Sequence, residues 1–140
     1  MKILLAVDGS ECSLTGVRYL IRHRGMFGDD STLALLYVDP PFVERAQTVL
    51  GTQGVQLAHE QNARNAFHKA TQLLKRARIP HETVLQVGDP GPRIARYAAD
   101  GQYDIVVIGS HGHGALAGLM LGSVVTKVLA ICAVPVLVTR

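Results

Sequence analysis

The chain has 140 residues, of which 48% are hydrophobic and 18% charged, so it can bury a full core and is not a mainly disordered protein. Its formal net charge is only +3. The densest basic cluster, residues 75–78, has no interleaved aromatic residues and fits a solvated helix end better than a nucleic-acid-binding surface. The length predicts one domain spanning residues 1–140.

Neither the cysteines nor the apolar stretches indicate a secreted or membrane protein. Cys12 and Cys132 are far apart and form no CxxC pair, which does not suggest a disulfide framework. A predicted strand begins at Ile3 and leaves no room for a signal peptide. The longest apolar stretch, 128–138, is interrupted by Pro135 and is too short to span a bilayer. We therefore expect a cytoplasmic protein.

Short apolar runs alternate with helical patterns along the chain. We predict strands over 3–7, 31–38, 82–87, 104–108 and 134–139, with a helix after each of the first four. Ser13 and Ser123 are the predicted N-caps of the first and last helices. Pro92 is predicted to start the helix after the third strand. Residues 40–54 have no clean period, and we predict a loop with at most a turn of helix before a long helix over 55–78.

This alternation predicts an α/β fold, a single-domain, Rossmann-like open sheet of five parallel strands with helices on both faces. Ligands of such sheets bind beyond the carboxyl ends of the strands, where the strand order reverses. The order 3-2-1-4-5 is a common one and would bring Asp8 next to Gly109. The alternation alone leaves that order open.

Residues 109–123 read GSHGHGALAGLMLGS and connect a predicted strand to a predicted helix. Gly109 and Gly112 form a G-x-x-G pattern, and nine residues later Gly122 is followed by Ser123. Glycines let the backbone approach phosphate closely, and a helix N-terminus attracts anions. The pattern is neither a P-loop nor a dinucleotide fingerprint. In the alternative interpretation the glycines only turn the chain.

The spaced glycine motif resembles the nucleotide-binding signature of the universal stress protein family. The opening residues 3–10, the turn at 87–90 and the closing residues 133–138 are also similar to that family, so the resemblance covers the whole chain. It implies a single α/β domain with strand order 3-2-1-4-5. Because the motif is intact, the chain resembles the branch of the family that binds ATP.

The resemblance also implies roles for individual residues. Asp8 would contact the adenosine part of ATP, and Val38 would offer its backbone to adenine. Ala6 and Val7 are carried over only by position, through their backbone. Gly109 would lie against the ribose. The phosphates would be held by the end of the motif, through Gly112, Gly122, Ser123 and the amide of Val124.

Mg²⁺ could bridge the phosphate oxygens, which then supply most of its ligands; we predict no metal site made by the protein itself. The last strand and its end, Val134 to Arg140, would form an apolar sheet edge, and such edges tend to pair with another chain. Dimerisation through this strand is also frequent in the resembling family. We therefore expect a homodimer.

Several motif-like residues keep simpler interpretations. Asp8 can shape a turn or cap the following helix, which is compatible with meeting a ligand, and Asp89 is interpreted as shaping a turn. His111 and His113 could chelate a metal, but no third ligand lies nearby in the sequence, and we interpret His111 as a loop residue near the phosphates. Cys12 is either a reactive thiol or a small buried residue, and Cys132 is predicted to pack. The remaining histidines are predicted to lie on the surface: His23, His59, His68 and His81.

The glycine segment has no lysine or arginine between Gly109 and Ser123, and the first one after it is Lys127. Efficient ATP hydrolysis normally needs a cation on the transferred phosphate. We therefore predict an ATP-binding, nucleotide-responsive regulatory module of a stress response, with no catalytic residue. The alternatives are a slow ATPase or self-phosphorylating protein, with Ser110 or Ser123 as acceptor, and a nucleotide-free interaction protein.

Overall fold

A computed structural model describes residues 1–28, 30–111 and 121–140. Strands and helices alternate along the chain as β1 (Lys2–Ala6), α1 (Glu11–Arg22), α2 (Arg24–Phe27), β2 (Thr32–Asp39), α3 (Glu44–Arg76), β3 (Glu82–Val87), α4 (Pro90–Asp100), β4 (Ile105–Gly109), α5 (Ser123–Ile131) and β5 (Val136–Thr139). In these described ranges, no helix is both long and apolar enough to cross a membrane.

The five strands form one parallel sheet in the order β3-β2-β1-β4-β5. This confirms the predicted fold class and the strand order that the resemblance implied. The register aligns Ala6 with Leu36 on β2 and with Ile108 on β4. The carboxyl ends of β1 and β4 therefore lie side by side at the point where the strand order reverses.

Two hydrophobic cores lie on opposite faces of the sheet, because successive side chains of a strand point to opposite faces. On β1, Leu4 and Ala6 face a core completed by α4 and α5. Ile3 and Leu5 face the other core, which is completed by α1 and α3. Both faces of the sheet are thus covered by helices, as predicted.

The predicted loop over 40–54 is wrong, since α3 already begins at Glu44. The helix is interrupted at Gly51, whose φ of 66° and ψ of 171° are not helical. The side chains of Val43, Val49 and Leu50 are exposed. Because this first part of α3 buries no apolar stripe, its sequence shows no helical period.

The helices begin slightly earlier than predicted. Ser10, not Ser13, is the N-cap of α1, and its Oγ accepts a hydrogen bond of 3.2 Å from the Ser13 amide. The two serines stand three residues apart, which is the spacing of an N-cap and the amide it satisfies. Pro90 rather than Pro92 begins α4. Gly122 rather than Ser123 is the N-cap of α5.

Candidate nucleotide site

The candidate site lies at the carboxyl ends of β1, β2 and β4. The Val7 amide donates to the Leu36 carbonyl over 2.9 Å, which joins the last part of β1 to β2. On the far side of β2, the Asp39 carbonyl accepts from the Gly88 amide over 3.0 Å. Backbone groups alternate in direction along a strand, so the polar backbone groups of Val38 face the side on which β1 ends. This is the position from which a backbone can meet a planar, hydrogen-bonding ligand.

Asp8 forms the turn that follows β1. Its Oδ1 accepts from the Ser10 amide at 2.9 Å and from the Ser10 hydroxyl at 2.6 Å. Gly9 has a φ of +83°, and a Cβ there would lie 3.2 Å from Cα of Ala66 on α3. Asp8 therefore shapes the turn, as one of its two interpretations predicts. The turn also places this half-buried carboxylate just beyond the carboxyl end of β1.

Gly109 ends β4 in close contact with the start of α1. A Cβ at this position would lie 2.5 Å from the carbonyl oxygen of Cys12 and 3.0 Å from the amide nitrogen of Ser13. No side chain fits there without moving the backbone of α1. Glycine at position 109 is thus required by the packing of two elements, whether or not a ribose lies nearby.

Ser110 joins the sheet to both ends of the glycine segment. Its amide donates to the Thr139 carbonyl of β5, and its carbonyl accepts from the Gly122 amide, each over 2.8 Å. The fully buried Ser110 therefore holds the start of α5 next to the end of β4. The two Gly-Ser pairs of the motif, which are separated in the sequence, meet through this hydrogen bond.

The first turn of α5 lies beside this junction. The first intrahelical bond runs from the Thr126 amide to the Gly122 carbonyl over 3.0 Å. By helix geometry, the amides of Ser123, Val124 and Val125 precede the hydrogen-bond ladder. Amides in this position, together with the positive end of the helix dipole, attract anions.

Cys12 and His111 pack around the Ser110 side chain. The Ser110 hydroxyl lies 2.9 Å from Nδ1 of His111 and 3.6 Å from the Cys12 sulfur. The His111 amide donates to the same sulfur over 3.3 Å. Nε2 of His111 is buried, and among the residues that the structure describes it has no hydrogen-bond partner. His111 therefore packs against Ser110 and Cys12.

A buried polar cluster at the end of β2 is not apparent from the sequence. Oδ2 of Asp39 lies 2.7 Å from Nδ1 of His59 and accepts from the Asn62 amide group at 2.8 Å. Oδ1 accepts from the Tyr37 hydroxyl at 2.8 Å. Asp39 and His59 are 5% and 7% exposed, so the predicted surface position of His59 is wrong. The cluster ties β2 to α3 one residue beyond Val38.

The hydrogen bonds of this cluster decide the charge of Asp39. Burial alone would raise its pKa, but the donors on Asn62, His59 and Tyr37 outweigh burial and lower the pKa below its usual value. Burial, reinforced by the hydrogen bond to Asp39 and by the charges of Asp39 and Asp8, raises the pKa of Tyr37. Tyr37 therefore keeps its hydroxyl proton and donates the hydrogen bond, and Asp39 stays ionised.

Most residues of the predicted site lie at the carboxyl ends of the strands. Gly112 and His113 lie outside the described residues. The other predicted residues lie at or next to the ends of β1, β2 and β4 or the start of α5: Ala6, Val7, Asp8, Val38, Gly109, Gly122, Ser123 and Val124. Within residues 1–28, 30–111 and 121–140, no three histidine, cysteine or acidic side chains come together in a way that could hold a metal ion.

Comparisons with known proteins place this arrangement in a family. The sequence model of the universal stress protein family matches residues 1–140. Universal stress protein YxiE of Bacillus subtilis (strain 168) is 27% identical, in an alignment that covers 99% of this chain and 98% of that protein.

Two solved structures share the fold along nearly their whole length. Protein MJ0577 of Methanocaldococcus jannaschii has a TM-score of 0.78 at 26% identity, covering 99% of this chain and 94% of that chain. A universal stress protein crystallised in complex with cAMP has a TM-score of 0.71 at 24% identity, covering 100% and 97%. The family model, the relative and the two structures agree with the motif and the sheet: the chain belongs to the universal stress protein family.

Proposed function

We propose that this protein binds ATP at the carboxyl ends of the strands and acts as a nucleotide-responsive regulatory module in a stress response. The observation that carries the proposal is the hydrogen bond between the Ser110 carbonyl and the Gly122 amide. It brings the end of β4 next to the first three amides of α5, which precede the hydrogen-bond ladder of the helix and favour phosphate. The cAMP complex of another universal stress protein supports an adenosine nucleotide as the ligand.

The two sides of the crevice suit different parts of ATP. Asp8 and the backbone of Val38 offer hydrogen-bonding groups to the adenosine, while Gly122, Ser123 and Val124 offer amides and a hydroxyl to the phosphates. Mg²⁺ would be held through the phosphate oxygens, which is how this ion usually binds nucleotides. A bound nucleotide would contact β1, β2, β4 and α5 at once. Because it touches several elements, its binding could change a surface that a partner recognises.

Replacing Gly122 tests the phosphate seat. The φ of −62° and ψ of 153° at Gly122 suit any residue, so Gly122→Val changes the space above the amides rather than straining the backbone. We expect ATP affinity, measured by isothermal titration calorimetry, to fall by at least about tenfold because charge-assisted contacts to phosphate are lost. Gly25→Val is the control, because a Cβ at Gly25 meets no atom within 4 Å. Unchanged ATP affinity in a folded Gly122→Val protein would refute the seat.

We also propose a homodimer formed through β5. The Val106 amide bonds to Pro135 and the Ser110 amide to Thr139, so the backbone of alternate residues, Val136 and Val138, faces the free edge of the sheet. The preceding helix α5 exposes Leu129 and Ile131. An apolar edge of this kind favours pairing with a second copy.

Both cysteines are free thiols, in keeping with action in the cytoplasm.

A further inference from the structure

An ion pair connects α5, whose first turn belongs to the proposed nucleotide site, to the start of α4. Nζ of Lys127 on α5 lies 2.8 Å from Oδ2 of Asp89, which precedes α4. The Lys127 and Asp89 side chains are 53% and 52% exposed. An ion pair this open to solvent contributes little to stability and separates easily when a better partner arrives.

Lys127 stands one helical turn after Ser123. Side chains of a helix tilt toward its N-terminus, so the Lys127 side chain leans toward the first turn of α5. Its stem packs against α4, because a Cβ at Gly91 would lie 2.5 Å from Cβ of Lys127. The half-exposed ammonium group reaches Asp89 at the start of α4.

Asp89 is not used as a helix cap, although it occupies the N-cap position of α4. Its side chain makes no capping hydrogen bond and is paired with Lys127 instead. The neighbouring Gly88 amide bonds to the Asp39 carbonyl, next to Val38. The ion pair therefore links α5 to the segment after β3, whose backbone is bonded to the end of β2.

We propose that Lys127 contacts the outer phosphates of a bound nucleotide, which displaces Asp89 from the lysine, and that this exchange makes the site prefer triphosphates over monophosphates. The inference rests on the proposed function. The glycine segment itself carries no lysine or arginine between Gly109 and Ser123, and the helix amides offer only partial charge. A triphosphate brings more negative charge than those amides balance, and Lys127 supplies a cation from the protein in addition to any Mg²⁺ on the phosphates. Asp89, half in water, remains hydrated after losing its partner.

The test compares ATP and AMP affinities of four full-length proteins by isothermal titration calorimetry: the wild type, Lys127→Met, Asp89→Asn and Arg96→Met. In Lys127→Met we expect ATP affinity to fall roughly tenfold, as for loss of one charge-assisted contact. AMP affinity should change less than about threefold, because one phosphate is satisfied by the helix amides. Asp89→Asn should tighten ATP by freeing the lysine. Arg96→Met removes an exposed α4 cation paired with Asp100 and should change neither affinity.

The outcomes separate this inference from the proposed function. If the wild type binds ATP but Lys127→Met loses ATP and AMP affinity equally, or loses neither, the role of Lys127 is wrong and the site stands. If Asp89→Asn weakens ATP, Asp89 is not a competing partner and the exchange is wrong. If the folded wild type binds no adenosine nucleotide, both proposals fail. Circular dichroism and thermal melting of each variant exclude a loss of fold as the cause.

Discussion

Asp39 is a buried carboxylate surrounded by three hydrogen-bond donors. Tyr37 comes from its own strand, whereas His59 and Asn62 come from α3. Because these donors lower the pKa of Asp39, the folded chain stabilises the ionised carboxylate more than the unfolded chain does. The free energy of unfolding therefore depends on pH through Asp39.

The pH dependence of unfolding tests this link. A carboxylate with a lowered folded pKa stabilises the protein above its unfolded pKa of about 3.9, and that contribution disappears as the pH falls through the lower folded value. We expect Asp39→Asn to reduce the free energy of unfolding by about 2 kcal/mol at neutral pH. The difference from the wild type should shrink below roughly pH 4.

Urea unfolding between pH 7 and pH 3 measures this difference. Asp100→Asn is the control, since Asp100 is exposed and forms an ion pair with Arg96 on the same helix. A gap between Asp39→Asn and wild type that stays constant down to pH 3 would show that the charge of Asp39 contributes nothing.

His59 shows what sequence reasoning can miss at this scale. The buried residues of α3 recur at helical spacing: His59, Ala63, Ala66, Ala70 and Leu74. His59 continues the apolar stripe by one turn, so its position is readable from the sequence. Its burial is not, because a polar side chain is buried only with partners, and its partner Asp39 lies 20 residues away on β2.

Between elements, the end of β4 approaches the backbone of α1 closely. Gly109→Ala would place a methyl group 2.5 Å from the Cys12 carbonyl oxygen, so either α1 or the end of β4 must move. We expect the free energy of unfolding to fall by about 1–3 kcal/mol, as for other overpacked sites. Gly25→Ala, in an open position on α2, should be close to neutral. Equal thermal melting temperatures for both variants would contradict the close approach.

The elements themselves are largely predictable from the sequence, and their ends are not. Strands β1 and β4 are buried on both faces and appear in the sequence as continuous apolar runs. The predicted start of α5 is one residue late, because Gly122 caps the helix through its backbone and offers no side chain to indicate it. The first part of α3 escapes prediction for a different reason, since it buries nothing and so leaves no pattern.

For the whole molecule, the proposed homodimer depends on the outer edge of β5. Val138→Pro removes an outward-facing amide and leaves the Thr139 carbonyl bonded to Ser110. We expect this variant to be monomeric by size-exclusion chromatography with light scattering. Thr83→Pro is the matched control on the opposite edge, where the Gly88 bond to Asp39 directs the backbone of Thr83 outward. A dimeric Val138→Pro protein would exclude β5 pairing.

The architecture can be predicted from the alternation of strands and helices, but the strand order cannot. A parallel sheet is expected from any such alternation, whereas the order depends on which strands meet, and buried apolar runs such as Ile3–Val7 fit any central position. The resemblance supplies the order, and the register of Ala6 with Leu36 and Ile108 confirms it. The Asp39 cluster and the Lys127–Asp89 ion pair join elements that are distant in the sequence. No local sequence pattern predicts such contacts.

The hydrogen bond between Ser110 and Gly122 has a consequence for how the chain can be divided. The bond holds the end of β4 and the start of α5 together at one point. Beyond Gly122, α5 shares a core with α4, and β5 pairs with β4. A cut between Ser110 and Gly122 would therefore leave two fragments that each keep one side of these contacts. The proposed nucleotide, seated at this junction, would join both fragments, so ATP should promote their reassembly.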